Sequence, residues 1–167
     1  MLATLYTIGY QGSKLEQVVS CLAAARVSVL VDTRETPMSR RVEFRQRALA
    51  SALGEAGIRY VSVRALGAPK PLRAIAVDDW AGFAAGYLER LVPLIASERV
   101  CLLCFEADPA ACHRSLLAHE IQGLLDVAAV HLRPGRTDEA DDYERLVALG
   151  QVAHDQVEVA LGPTALG

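Results

Sequence analysis

The regular alternation of short β-forming runs with amphipathic helical stretches predicts an α/β fold: a three-layer, Rossmann-like sandwich around a mostly parallel five-stranded sheet. Three observations carry this expectation. The runs Val29 to Val31 and Val100 to Phe105 are continuously apolar, not alternating, as strands are when helices cover both faces of a sheet. Between strands, sets such as Leu15, Val18, Val19, Leu22 and Ala25 recur at helical spacing and leave one apolar face to pack on that sheet. The connections are short, which suits right-handed crossovers between parallel neighbours.

Taken in order, Leu2 to Ile8 forms the first strand, Gly9-Tyr10-Gln11-Gly12 breaks it, and Ser13 caps a helix through Ala25. Val29 to Val31 is the second strand. A polar loop from Arg34 to Arg41 leads into a helix around Glu43 to Ala56, which Gly57 stops before a third strand, Ile58 to Val63. Leu66-Gly67-Ala68-Pro69 ends that strand, and Pro69 and Pro71 keep the next stretch irregular. Asp78 then caps a helix lined by Trp80, Phe83, Ala84, Tyr87, Leu88 and Leu91, which Pro93 bends or shortens. Val100 to Phe105 is the fourth strand. Asp108 and Pro109 are a cap and first residue for a helix through Gly123, and Val127 to Leu132 is the fifth strand. A helix near Asp141 to Ala148 closes residues 1–150 as a single α/β domain. Residues 151–167 lose periodicity, and Gly162-Pro163 marks them as a frayed or flap-like C-terminal extension.

With 167 residues and 52% hydrophobic content, the chain can bury one core without staples. A net charge of −3 argues against a general polyanion binder, although Arg34, Arg40, Arg41, Arg45 and Arg47 concentrate positive charge locally. No apolar run approaches the roughly twenty residues that cross a bilayer, so no membrane partner is expected. The four cysteines follow no secretory leader, and a reducing, cytoplasmic setting is the expectation.

In parallel sheets, ligands sit beyond the carboxyl ends of the strands, where loops converge. The ionisable residues map there: Gly9 and Tyr10 follow strand one, Asp32 and Arg34 strand two, Gly67 strand three, Cys104 and Glu106 strand four, and His131 lies at strand five. Residues two apart on a strand share a side, so Cys104 and Glu106 should point together and Cys101 away into the core. Cys104 or Cys112 is a candidate thiolate nucleophile or redox thiol, with Glu106, His113 or His131 moving protons. A carboxylate beside a thiol opposes its ionisation unless an arginine neutralises it. Adjacent helical residues diverge by about 100 degrees, so at most two of Cys112, His113 and Arg114 can face one cleft and the third is structural. In the loop after strand two, Arg34, Ser39 and Arg40 are candidate ligands for a phosphate, carboxylate or nucleic-acid backbone, with Asp32 orienting an arginine or serving as a base. Each residue has a plainer role open to it: a buried thiol, a packed histidine, an Asp32–Arg34 structural pair, a solvated face for Arg45 and Arg47.

The pattern Cys101-x2-Cys104 followed by Cys112-His113 superficially suggests zinc, but on a strand the first pair diverges and no second CxxC exists. A mononuclear site from Cys104, Glu106, Cys112 or His113, and His131 is the alternative, as is haem ligation. Neither cysteine is followed by the arginine of a cysteine-phosphatase loop, and neither a dinucleotide fingerprint nor a GKS/GKT phosphate loop occurs.

Thr7-Ile8-Gly9-Tyr10, Asp32-x-Arg34-x2-Pro37-x-Ser39-Arg40, Leu66-Gly67, Cys104-x-Glu106-x-Asp108-Pro109-x2-Cys112-His113-Arg114 and Val130-His131 together resemble the DUF488 family over residues 5–133. Ala68 stands where that pattern often has a second glycine. The resemblance implies a compact α/β protein whose motif residues share a pocket, and supplies no reaction. The functional expectation is an enzyme acting on a small anionic substrate, phosphate- or nucleotide-containing, with Arg34, Arg40 and Arg114 binding it. The competing class is a non-catalytic module that binds nucleic acid through the arginine-rich loop, or a metal or haem through the Cys, His and Glu groups.

Overall fold

In the computed structural model, which describes residues 3–67, 77–135 and 157–161, the chain runs β1 (Ala3–Gly9), α1 (Leu15–Ala24), β2 (Val29–Asp32), α2 (Gln46–Glu55), β3 (Arg59–Ser62), α3 (Val77–Ser97), β4 (Val100–Cys104), α4 (His113–Leu124), β5 (Val127–Pro134) and β6 (Val157–Leu161). The strands form one sheet in the order β3-β2-β4-β1-β5-β6, with every pairing parallel. This is the α/β, Rossmann-like sandwich that the apolar runs predict. Every residue of β2 and of β4 is buried, which is why neither strand alternates in sequence.

Two apolar clusters make the layers. Tyr6, Ile8, Leu30, Cys101 and Leu103 on one face of the sheet pack with Val18, Cys21 and Leu22 of α1 and Leu49 and Leu53 of α2. On the other face, Leu5, Val29, Val31, Val100 and Leu102 meet Leu88 and Ile95 of α3 and Leu117 and Ile121 of α4. Each fully buried Leu or Ile adds about 1.5–3 kcal/mol relative to exposure, so these clusters supply most of the driving force. Cys21 and Cys101 belong to the first cluster, both at 0% exposure, and burial followed by the neighbouring Cys21 sulfur pushes the Cys101 thiol well above its ordinary value.

Several boundaries differ from expectation for identifiable reasons. Ser13 is not the α1 cap: its N–H closes a turn onto the Tyr10 carbonyl, Lys14 takes the extended cap position, and the Gln17 side chain accepts the Lys14 N–H at 2.8 Å. The helix expected from Glu43 begins as a 3-10 turn, Val42–Phe44, and restarts at Gln46 after an extended Arg45. Pro93 lies inside α3, which runs on to Ser97. Asp108 does cap, accepting the Ala110 N–H at 2.9 Å, but what it caps is a 3-10 turn, Pro109–Ala111. An extended Cys112 separates that turn from α4. Strand β5 continues two residues past Leu132 to Pro134, so His131 lies in its interior and not at its end, opposite Thr7 of β1. Residues 157–161 form a sixth strand against β5 that their weak periodicity does not announce. The side chains of Trp80 and Phe83, the Pro69 to Pro71 stretch and the helix anticipated near Asp141 lie outside the described residues. Among those residues, no helix is long and apolar enough to cross a membrane.

Candidate functional site

The neighbouring strands β2, β4 and β1 end together, and their loops are stitched to one another. Thr33 N–H donates to the Leu103 carbonyl at 3.0 Å and Gln11 N–H to the Phe105 carbonyl at 2.9 Å. Over these ends opens a cleft of about 700 Å³. Tyr10, Arg34, Ser39, Arg40, Arg41, Cys104, Phe105, Glu106 and His113 line it. Aromatic packing shapes one wall: the Tyr10 ring stacks on Phe44 with centroids 4.3 Å apart and meets Phe105 edge-on at 5.4 Å.

Sulfur chemistry is concentrated at the end of β4. Cys104 and Cys112, expected as thiols, are joined as a disulfide. Cys104 shares the face of Val100 and Leu102, so it points toward α4, and the extended backbone at Cys112 turns the second sulfur to meet it. Glu106 Oε2 lies 2.9 Å from Cys104 Sγ, as the two-residue spacing predicts. His113 Nδ1 stands 3.8 Å from each sulfur. Its other nitrogen, Nε2, is 3.3 Å from the Thr33 carbonyl oxygen and 3.2 Å from Thr33 Oγ1. Because the Thr33 hydroxyl donates its own proton to the Leu103 carbonyl at 2.8 Å, both Thr33 oxygens act as acceptors toward the ring. That arrangement places the imidazole proton on Nε2 and the lone pair of Nδ1 toward the sulfurs. Cys104, Cys112 and His113 offer three ligand atoms within 4.8 Å of one another.

Asp32 and Arg34 form a buried pair whose donors and acceptors are largely used within the protein. Arg34 NH2 donates to Asp32 Oδ2 at 2.6 Å and Nε to Oδ1 at 2.9 Å. NH1 serves the Phe44 carbonyl at 2.8 Å and the Tyr10 hydroxyl at 3.1 Å. Burial alone would depress the Arg34 guanidinium, but the hydrogen bonds and charge of Asp32 more than reverse this and hold it above its usual value. Tyr60 completes the carboxylate's shell by donating to Oδ2 at 2.5 Å, and burial together with the Asp32 charge pushes its phenol up. Arg34 therefore braces the cleft wall, and Asp32 sits beneath it.

Arg114 is fully buried and acts on the backbone. Its Nε donates to Thr7 Oγ1 at 3.1 Å, NH1 to the Glu106 carbonyl and NH2 to the Ala107 carbonyl at 3.0 Å, which fixes the loop carrying Glu106. Burial lowers its pKa from the ordinary guanidinium value. Thr7 Oγ1 in turn contacts His131 Nδ1 at 2.6 Å, so His131, buried on the α3/α4 face, is linked to the loop through Thr7 and Arg114. Gly9 and Gly67 are close-approach positions. A Cβ on Gly9 would fall on the Glu106 carbonyl, and one on Gly67 on the Glu35 backbone. Neither glycine is part of the cleft lining.

At the mouth, Arg40 is exposed and makes no ion pair or hydrogen bond among the described residues, while Arg41 is held by Glu43 at 2.9 Å and the Ser13 carbonyl at 2.6 Å. Ser39 Oγ accepts the Arg41 N–H at 3.1 Å. The candidates thus divide into two groups. Tyr10, Arg34, Ser39, Arg40, Cys104, Glu106 and His113 line the cleft, Cys112 is bonded to Cys104 without lining it, and Gly9, Asp32, Gly67, Arg114 and His131 stand outside its lining. Thr33, which orients His113, is not a residue that the sequence singles out; only the pairing of β2 with β4 brings its two oxygens to the ring.

The family described as "Domain of unknown function DUF488" matches residues 14–121, well over half of the chain. No curated protein and no solved structure matches it.

Proposed function

The chain belongs to the DUF488 family, whose description assigns no reaction, and from the cleft itself we propose that it is a two-cysteine enzyme that reduces the disulfide bond of a small anionic substrate, phosphate- or nucleotide-containing. The observation that carries this reading is the placement of His113 Nδ1 at 3.8 Å from both sulfurs of a cysteine pair at a cleft rimmed by Arg40 and Arg41.

Cys104 lines the cleft and Cys112 does not, so Cys104 is the attacking sulfur and Cys112 the resolving one. In the reduced state His113 Nδ1 accepts the Cys104 proton, and the thiolate attacks a disulfide sulfur of the substrate. An S–S bond forms between Cys104 and one half of the substrate as the substrate's own S–S bond breaks. The electron pair leaves with the other half, which takes the proton from His113. His113 Nδ1, neutral again and 3.8 Å from Cys112 Sγ, takes the Cys112 proton. The Cys112 thiolate then attacks Cys104 Sγ, forming the protein disulfide as the bond from Cys104 to the first half breaks, and that half leaves as a thiolate and takes the proton. The substrate gains two electrons and the protein loses two, and an external thiol reductant restores the pair. Arg40 attracts the substrate's anionic group, while the exposed Phe105 ring offers an apolar contact.

The test uses 5,5′-dithiobis(2-nitrobenzoate), an anionic aromatic disulfide, and 2,2′-dithiodipyridine, an uncharged one. Reduced Cys112→Ser should hold a stable thionitrobenzoate adduct on Cys104, seen by peptide mass spectrometry. Wild type should instead close its disulfide and release both halves, and dithiothreitol added after the probe has been removed should restore its two thiols. Arg40→Ala should react about tenfold more slowly with the anionic probe and unchanged with the neutral one, a difference of about 1.4 kcal/mol in barrier. Absence of a Cys104 adduct, or equal slowing toward both probes, would rule the proposal out.

A further inference from the structure

We propose that the reduced Cys104–Cys112 pair and His113 form a Zn²⁺ site, which oxidation to the disulfide empties. The inference shares only the reduced thiol pair with the catalytic reading and does not depend on turnover.

Three features of the geometry converge. First, the ligand types and spacing fit: in a tetrahedral site with ordinary Zn–S and Zn–N bonds, neighbouring ligand atoms stand about 3.5–3.8 Å apart. His113 Nδ1 already lies 3.8 Å from each sulfur, so only the two sulfurs need to part when their bond is reduced. Second, the imidazole is prepared as a ligand. Its Nε2–H is held by the Thr33 carbonyl at 3.3 Å and by Thr33 Oγ1 at 3.2 Å, and a backbone carbonyl on the distal nitrogen is the support that metal-binding histidines ordinarily carry. Third, the fourth position opens on the cleft, where water can enter; the Glu106 carboxylate, its Oε2 2.9 Å from Cys104 Sγ but outside the 4.8 Å group of the other three ligand atoms, reaches it only by turning inward. Two thiolates, a neutral imidazole and a carboxylate or water make a set suited to a borderline-soft dication. Cys101 and Cys21 take no part, because both point into the apolar layer beneath α1 and are fully buried.

The same two sulfurs cannot bond each other and the metal. When a diazene oxidant such as diamide takes two electrons from the Zn-bound thiolates, the Cys104–Cys112 bond forms and the oxidant's N=N bond becomes HN–NH with two protons from water. Zn²⁺ loses two of its ligands and leaves. Metal content therefore reads the oxidation state of the cleft.

The experiment titrates the full chain, reduced and freed of reductant under nitrogen, with Zn²⁺ against a chromophoric chelator. The expected result is one equivalent bound, released on addition of diamide as the disulfide appears by mass spectrometry. Cys104→Ser and Cys112→Ser should each lower affinity at least about 100-fold, the upper end of what losing even an outer-shell partner costs. Should a variant fold poorly, the comparison of reduced with diamide-oxidised wild type carries the test without any substitution. Reduced wild type that shows all four thiols in denaturant yet binds no Zn²⁺ would overturn the proposal, as would equal binding by the oxidised chain or by folded Cys104→Ser. The disulfide-probe assay contains no metal, so failure of one proposal is distinguishable from failure of the other.

Discussion

At Asp32 and Arg34, two opposite charges leave water together and survive because nearly every donor and acceptor finds a partner. Removing one partner leaves the other buried and uncompensated, which costs more than the pair itself contributes. Arg34→Ala should lower unfolding free energy by about 3–5 kcal/mol, read as a shift of the urea midpoint, with Asp32 as the stranded group. Arg34→Lys should recover little, because one ammonium cannot span Asp32, the Phe44 carbonyl and the Tyr10 hydroxyl. The pairing itself is legible in the sequence, since Asp32-x-Arg34 sits where a buried strand meets a loop. Its closure is not, because Tyr60 and the Phe44 carbonyl arrive from elements far along the chain.

Between elements, the closest fit joins the end of β1 to the loop after β4. Gly9 leaves room for the Glu106 carbonyl, which Arg114 of α4 holds from the other side. Gly9→Ala should cost about 1–3 kcal/mol by overpacking, seen as a lower melting temperature. The same substitution should slow adduct formation at Cys104, because the displaced loop carries Glu106. The two-residue period of β4 foretells correctly that Cys101 faces the core, and Glu106, two residues past the strand's end, stays beside Cys104. The expectation that helix geometry divides Cys112, His113 and Arg114 does not apply as drawn, because Cys112 is extended and precedes α4; within α4, His113 faces the sulfurs and Arg114 turns to the backbone of the neighbouring loop. The start of α4 is less legible. Asp108-Pro109 has the chemistry of a helix start, and nothing local reveals that the backbone opens again at Cys112 before α4 begins. The reach of β5 past Leu132, which leaves His131 short of the strand's end, is set by its pairing with β6 and leaves no mark in its apolar pattern.

On the scale of the whole molecule, parallel strands and two helical layers follow from composition and periodicity, whereas the order β3-β2-β4-β1-β5-β6 is a property of pairing that no single run encodes. That order sets β2, β4 and β1 side by side and so decides which loops share the cleft. If the cleft binds anions, inorganic phosphate should raise the melting temperature. A concentration 100 times the dissociation constant would add about 2.7 kcal/mol, and Arg40→Ala should abolish the gain while leaving the phosphate-free melting temperature unchanged. An unaltered phosphate response in that variant would move anion recognition elsewhere. The interior placement of Cys21 and Cys101 has its own consequence. With two of the four cysteines sunk in the apolar layer beneath α1, neither can be exchanged into the Cys104–Cys112 bond until the native packing is lost, so opening and re-forming that bond would leave the interior thiols untouched.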